Sequence, residues 1–441
     1  MASVKPFKGI RYNPERIQDL SQVISQPYDR IQHGLQEEYY ELNDYNVVRI
    51  IKGKEFPDDG EDRNVYTRAQ DYLSRWLEQG VLMREPEPAL YVLHQEFPLP
   101  NGDLVTRKAL ISALKLARFE EGIVLPHERT LSGPKVDRLK LTRATQTYFG
   151  NVFMLYPDPT NVVTATLERA LSHEPDADVH EMFEHDVRQR FWVVTDPDII
   201  AAVTEEMRPK RNLVIADGHH RYETALNYRD EQRARFPGAP ENVGFEYLMV
   251  ALVSMSDPGL TILPTHRLMY DYHRMGGAEL LNKLSEYFEV QQVPSREALQ
   301  QKMEEEIDQI GRIGLVISQG LYHLKLKDDS IMIRLAPDRV PSWRELDVSV
   351  LHELILEHVL GLTKGSIERK ENIEYLREPD LGYDQIAAGE AQFMFLLNPT
   401  RMEQVILCTE AGEKMPQKST DFYPKVFTGL TFLAVSPDER L

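Results

Sequence analysis

The 441-residue chain contains a single cysteine, Cys408. That excludes an internal disulfide and every zinc or iron–sulfur site built from several thiolates, and it suits a reducing compartment. Long hydrophobic runs are missing as well. The longest apolar stretch, around residues 247–255, falls far short of the roughly 20 residues that cross a bilayer. The opening MASVKPFKGIRYN carries no apolar h-region, so no secretory signal is expected. Basic residues are in deficit, 51 Lys and Arg against 70 Asp and Glu, for a formal charge of −19. Such a surface repels polyanions and argues against a general nucleic-acid binder. Gly and Pro, 24 and 27 residues, are too few for a disordered or collagen-like chain. The expectation is a cytoplasmic globular protein with no membrane span.

At about 150 residues per domain the length allows roughly three domains. Short strands and helices mix without strict alternation, which predicts an α+β fold. Three parts are expected: an N-terminal segment 1–84, an α/β core 85–270, and a C-terminal α+β domain 271–441. The apolar run 47–51, bounded by Asn46 and Gly53, reads as a strand, and 62–80 has a helical period. Residues 89–97 and 105–116 read as strands around the turn Asn101-Gly102-Asp103, and 152–155, 191–195 and 213–216 as further strands. A basic helix is expected over 135–147. Helices at 276–288 and 295–311 and strands at 314–318 and 321–327 follow. Residues 347–360 form an amphipathic pattern in which His352 and His358 read as surface or satisfied groups.

The sharpest chemistry sits at Asp217-Gly218-His219-His220-Arg221, directly after the apolar residues Leu213 to Ala216. The pattern predicts a strand, a turn and a helix with Tyr222, Ala225 and Leu226 on its inner face. Asp217 suits an N-cap, and Gly218 lets a ligand approach the backbone. Free N–H groups and the helix dipole make such a junction an anion site, and Arg221 adds a fork suited to phosphate oxygens. The same residues equally suit a helix cap paired with nearby carboxylates. Neighbouring His residues on a helix point about 100° apart, so His219 and His220 do not easily share one metal ion.

Other groups invite the same two-sided reading. In Pro27-Tyr28-Asp29, Asp29 can orient a hydroxyl or hold a magnesium-bound water, or simply close a turn. His127-Glu128-Arg129-Thr130, with Lys135 and Arg138 beyond, packs acid, base and hydroxyl groups together. Glu128 suits a catalytic base, and Lys135 and Arg138 suit cations that neutralise a moving phosphate. A solvated helix with intrahelical ion pairs explains them too. His266-Arg267 follows Pro264 at a strand end and either lines a cleft or caps a sheet. Residues 414–425 hold Lys414, Lys418 and Lys425 in a proline-fixed loop that suits anions or joins two domains. It lacks the Walker A pattern.

The box at 217–225 resembles the second box of the ParB/sulfiredoxin superfamily, where ParB proteins have Gly-Glu-Arg-Arg and sulfiredoxins Gly-Cys-His-Arg. The resemblance implies a ParB/sulfiredoxin-like mixed α/β core and a loop that holds nucleotide phosphates through Asp217, Gly218, His219, His220 and Arg221. Pro27-Tyr28-Asp29 falls where that superfamily's first box would. The chain as a whole resembles the DUF1015 family through Pro27-Tyr28-Asp29, His127-Glu128-Arg129-Thr130, the central box, Pro264-Thr265-His266-Arg267, Met415-Pro416-Gln417-Lys418-Ser419-Thr420 and Phe422-Tyr423-Pro424-Lys425. His219 stands where sulfiredoxins need Cys, which speaks against sulfinic-acid reduction. Phe236-Pro237-Gly238 stands where ParB proteins continue into a DNA-binding domain. The comparison with free serine kinases loses least.

Three functions follow as expectations. The first is a nucleotide-dependent phosphotransferase for a small hydroxyl metabolite such as free serine, using ATP or ADP, with CTP as an alternative, and Mg2+. Its catalytic candidates are Glu128, Asp29 and His127, and its further anion-binding candidates Lys135, Arg138, His266, Arg267 and Lys418. The second is a nucleotide-binding regulatory switch. The third is a metal-dependent hydrolase on His219 and His220, for which no His-Glu-x-x-His spacing is present.

Overall fold

The computed structural model describes residues 1–32, 34–128 and 132–441, with the side chains of 132–134 and 185 left out. Arg129 and Thr130 of the polar motif lie outside the described residues. The chain forms two compact units. Of the described residues, 1–126, 132–260 and 424–441 fall in the first, and 127, 128 and 261–423 in the second.

The first unit is built on a mixed sheet of nine strands. Its order runs Val124–Pro126, Leu213–Asp217, Val152–Tyr156, Tyr247–Ser254, Leu104–Lys115, Leu90–Pro98, Glu184–Val194 and Ala177–Glu181. Val4–Lys5 pairs on Leu104–Lys115. Two pairings are parallel, Leu213–Asp217 with Val124–Pro126 and Tyr247–Ser254 with Val152–Tyr156. Strands buried on both faces read as continuous apolar runs, and all of Tyr247–Ser254 is buried.

Helices Val65–Glu78 and Ser132–Thr145 pack together, and Ser132–Thr145 also packs on His219–Arg235. Trp76, Tyr12, Tyr39, Val48 and Ile50 belong to one buried cluster beside them. The run at 47–51 corrects the expected strand: Val48–Ile51 is a short helix. Asn46 decides this. Its Oδ1 accepts from the Val48 N–H at 3.0 Å, and its Nδ2 donates to the Gln22 and Ile24 carbonyls at 2.8 and 3.1 Å. A short apolar run cannot by its period distinguish a strand from a buried helical turn.

The second unit carries a six-stranded antiparallel sheet, ordered Phe288–Val293, Gly320–Leu326, Arg312–Ile317, Ala391–Leu397, His266–Tyr270 and Ile373–Leu376. Thr261–Leu263 pairs with Asp421–Tyr423. Residues expected to form one α-helix over 347–360 instead make the short turn Asp347–Ser349 and a π-helix, Val350–Val359. Of the two histidines there, His352 is buried and His358 is bonded to the Tyr287 hydroxyl at 3.0 Å. The fold is thus mixed α/β, a large mixed sheet accompanied by separate antiparallel sheets.

Candidate functional site

The strand, turn and helix expected around the central box are present. Strand Leu213–Asp217 ends on Asp217, Gly218 sits at φ 94° as the N-cap, and helix His219–Arg235 begins at once. That left-handed backbone is open to glycine and costly for other L-residues. Tyr222, Ala225, Tyr228 and Arg229 are buried on the inner face, while Leu226 is only half-buried. The Tyr222 hydroxyl donates to the Ala117 carbonyl at 2.7 Å and fixes the helix.

Asp217 is not the N-cap expected from the sequence. Gly218 takes that place and supplies no side-chain cap. The register between Leu213–Asp217 and Val152–Tyr156 shifts between Ile215 and Asp217, and such irregularities re-aim side chains near sites. The Asp217 carboxylate accepts from Arg221 Nη2 at 2.6 Å and lies 3.7 Å from Lys425 Nζ. Arg221 Nη1 donates to the Asn151 carbonyl. The guanidinium folds back over the turn: a Cβ on Gly218 would meet Arg221 Nε at 2.9 Å and Cζ at 3.0 Å.

Arg221 is 12% exposed. Burial pulls its pKa down, but the carboxylates of Asp217 and Asp29 and the Tyr28 phenol outweigh that, and the net direction is upward. Asp29 itself is exposed. His220 is lowered, chiefly by burial, with Glu223 and Asp29 opposing and Lys135 and Arg221 adding to the shift. His219 is buried at the first helical position. Lys135 Nζ bonds Glu223 Oε2 at 2.6 Å. Arg138 lies over the Tyr28 ring at 4.0 Å and donates twice to Asp137 Oδ2, at 2.7 and 2.5 Å. The Tyr66 hydroxyl donates to Asp137 Oδ1 at 2.9 Å.

A cavity of about 50 Å3 is lined by Pro27, Tyr28, Arg138, Gly150, Arg221 and Thr428 among others. A larger cleft of about 650 Å3 shares Ile51, Arg138 and Leu141 with it and adds Gln32, Lys52, Tyr66 and Asp137. Ligand sites of small molecules typically measure about 300–1,000 Å3. Asp29, Lys135, Arg138 and the whole central box therefore fall in the first unit.

The other candidates lie in the second unit. His127 is buried, and its Nε2 shares a 2.7 Å hydrogen bond with Thr420 Oγ1. Glu128 Oε1 lies 3.8 Å from the same nitrogen, and Glu128 bridges to Met415. His266 Nδ1 accepts from the Leu397 N–H at 3.2 Å, and burial, helped by Arg267, pushes its pKa down to about 4. Arg267 is fully buried and donates to the carbonyls of Thr265, Gln417 and Lys418. Lys418 adopts φ 57°.

Sequence reasoning missed Asn151 and Tyr66, and it placed Asp137 in the polar stretch without its bonds to Arg138 and Tyr66. Asn151 acts through its carbonyl, which every residue type carries. The sequence places Lys425 in the tail loop but does not show its tie to the box; Gln95 Nε2 donates to its carbonyl at 3.0 Å. Among the described residues no three His, Cys, Asp or Glu gather as a metal site requires. No helix there is long and apolar enough to cross a membrane.

A search among curated proteins finds no match. Among solved structures, a free serine kinase in complex with AMP is 13% identical, over 72% of this chain and 90% of that chain, with a TM-score of 0.36. A conserved hypothetical protein from Pyrococcus furiosus is 13% identical, over 70% and 92%, at 0.32. SbnI from Staphylococcus aureus with a C-terminal truncation is 9% identical, over 75% and 89%, at 0.34. Likenesses at such TM-scores carry no inference. The sequence itself matches the family described as "Protein of unknown function (DUF1015)" over residues 4–349, and the chain belongs to that family.

Proposed function

We propose that the first unit binds a nucleotide by its phosphates, in the manner of the ParB/sulfiredoxin-like box, and transfers a phosphoryl group to a small hydroxyl metabolite. The observation that carries this reading is the shared cavity. Arg221 and Arg138 line it together, beside the helix His219–Arg235 whose N-terminus has no side-chain cap. Two guanidinium groups and a positive helix end are what a polyphosphate requires. The adjoining cleft is large enough for a nucleoside.

Phosphoryl transfer asks mainly for positioning and charge neutralisation. Asp29 is the carboxylate assigned to the acceptor. It takes the hydroxyl proton as the acceptor oxygen bonds to the terminal phosphorus, while the bond from that phosphorus to the nucleotide's bridging oxygen breaks. The electron pair leaves with the shortened nucleotide. Magnesium fits such a site, because it is usually held by phosphates and only one or two carboxylates, and exposed Asp29 supplies one. It would neutralise phosphate charge. Nucleotide entry exchanges part of Arg221's internal bonding to Asp217 and Asn151 for phosphate oxygens. ADP and ATP are the favoured donors and serine the first acceptor to try.

The test incubates the full chain and Mg2+ with ATP, ADP or CTP and a mixture of hydroxy amino acids, and follows phosphorylated product. Nucleotide binding is measured separately by calorimetry. Product formation supports the phosphotransferase. Binding without product supports the regulatory switch instead, and no binding of any nucleotide removes both.

A further inference from the structure

The second unit holds a separate cavity of about 20 Å3, lined by Arg267, Arg401, Lys418, Asp308, Glu345 and Asp347 among others. Arg267 is fully buried. Its guanidinium meets only neutral groups: the Thr265 carbonyl, the Gln417 and Lys418 carbonyls at 3.1 and 3.0 Å, His352 Nε2 at 3.3 Å, and the face of the Tyr375 ring at 5.0 Å. Burial keeps His352 far below its ordinary range, so that ring is uncharged. Among the described residues no carboxylate bonds Arg267, and Glu128 acts on it only through space. A buried cation with neutral partners alone is costly to keep.

Two donors are left over on residues that line this cavity. The Nε groups of Arg267 and Arg401 are both buried, and neither has a hydrogen-bond partner among the described residues. The carboxylates around them do not answer this need. Asp308 pairs with Arg401 through Nη1, Glu345 is exposed, and Asp347 accepts from the Gly311 N–H at 2.7 Å. Burial pushes Asp347 up to about 7, against the pull of Arg312 and Arg401. The space suits a group about the size of one water.

We propose that this cavity takes a small anion, a halide or one oxygen of a phosphate-type oxyanion, between the guanidinium groups of Arg267 and Arg401. Lys418, an exposed residue, also lines the cavity and adds positive charge. The site is independent of the nucleotide reading. Arg267 also donates to the tail-loop carbonyls at 417 and 418.

The experiment uses the full chain. Chloride and inorganic phosphate are titrated separately at constant ionic strength, held by a bulky organic sulfonate. Thermal unfolding and calorimetry are the readouts. The expected result is saturable stabilisation by one or both, with Arg401→Gln weakening the apparent affinity at least about tenfold, the worth of a charged hydrogen bond. Lys418→Gln weakens it less, and Arg221→Ala leaves it intact. A response to chloride alone identifies a halide; a response to phosphate identifies the oxyanion. A cavity that holds only water gives no saturable response, which overturns the proposal. So does a response unchanged in Arg401→Gln or abolished in Arg221→Ala.

Discussion

Arg221 and Arg267 are two strongly shielded guanidinium groups with opposite electrostatics. Arg221 sits against carboxylates, and its pKa moves up despite burial. Arg267 sits among carbonyls and a neutral imidazole, and burial pulls its pKa down to about 10. The difference teaches what each can do. Arg221 is held by a carboxylate and a carbonyl, partners that the proposed phosphate would replace in part. Arg267 is fixed by main-chain oxygens that pin a loop, and it lacks the negative partner its charge calls for.

The comparison can be sharpened first at the reaction. Asp29→Asn should keep nucleotide binding and lower turnover by about 10²–10⁴-fold, the usual worth of a general base. Loss of binding together with turnover would move Asp29 out of the base role. The kinetic test is single-turnover product formation at saturating nucleotide.

Acid probes the second unit. The fold favours neutral His266, whose pKa drops from 6.5 to about 4. A depressed histidine contributes stability that is complete above about pH 6.5 and is lost as pH falls through about 4. The loss should approach about 3 kcal/mol. Denaturant unfolding between pH 7 and 4 should show it, and His266→Asn should flatten the curve. His94 in the first unit is also pushed down to about 4, mainly by burial, so His94→Asn separates the two contributions.

Arg221→Ala should weaken nucleotide binding by about 1.5–3 kcal/mol, the range for a hydrogen bond to a charged group. Calorimetry on a variant with unchanged circular dichroism decides the point, and an unchanged affinity would detach Arg221 from the phosphates. The smallest effect is expected from Gly218→Ala. The left-handed backbone should cost about 1–2 kcal/mol, and the new methyl would press on the Arg221 guanidinium. Affinity should fall along with Tm; a fall in Tm alone would show that the turn tolerates the shift of Arg221.

Much of the framework was legible in the sequence. The turn at Asn101-Gly102-Asp103 joins strands Leu90–Pro98 and Leu104–Lys115 as expected, because turn residues between apolar runs act locally. The strand–turn–helix of the central box was legible for the same reason. The helix at Val48–Ile51 was not, since Asn46 selects it through carbonyls more than twenty residues away. Nor was the π-helix of Val350–Val359, whose apolar stripe fits an ordinary helix as well.

The candidate site divides along the same line. Chemical type was readable: a phosphate-suited arginine after a glycine, and carboxylates and lysines in short polar motifs. Which of these meet was not. Asp29 and Arg138 gather electrostatically or in one cavity with Arg221, whereas His127, Glu128, His266 and Lys418 belong to the unit that contains Arg267. Backbone propensity, charge and composition are properties of neighbours along the chain, so the amino-acid order alone determined them. Burial and partnership arise only when distant segments pack. Tertiary structure therefore decided that one arginine would pair with a carboxylate and the other only with carbonyls and a neutral imidazole.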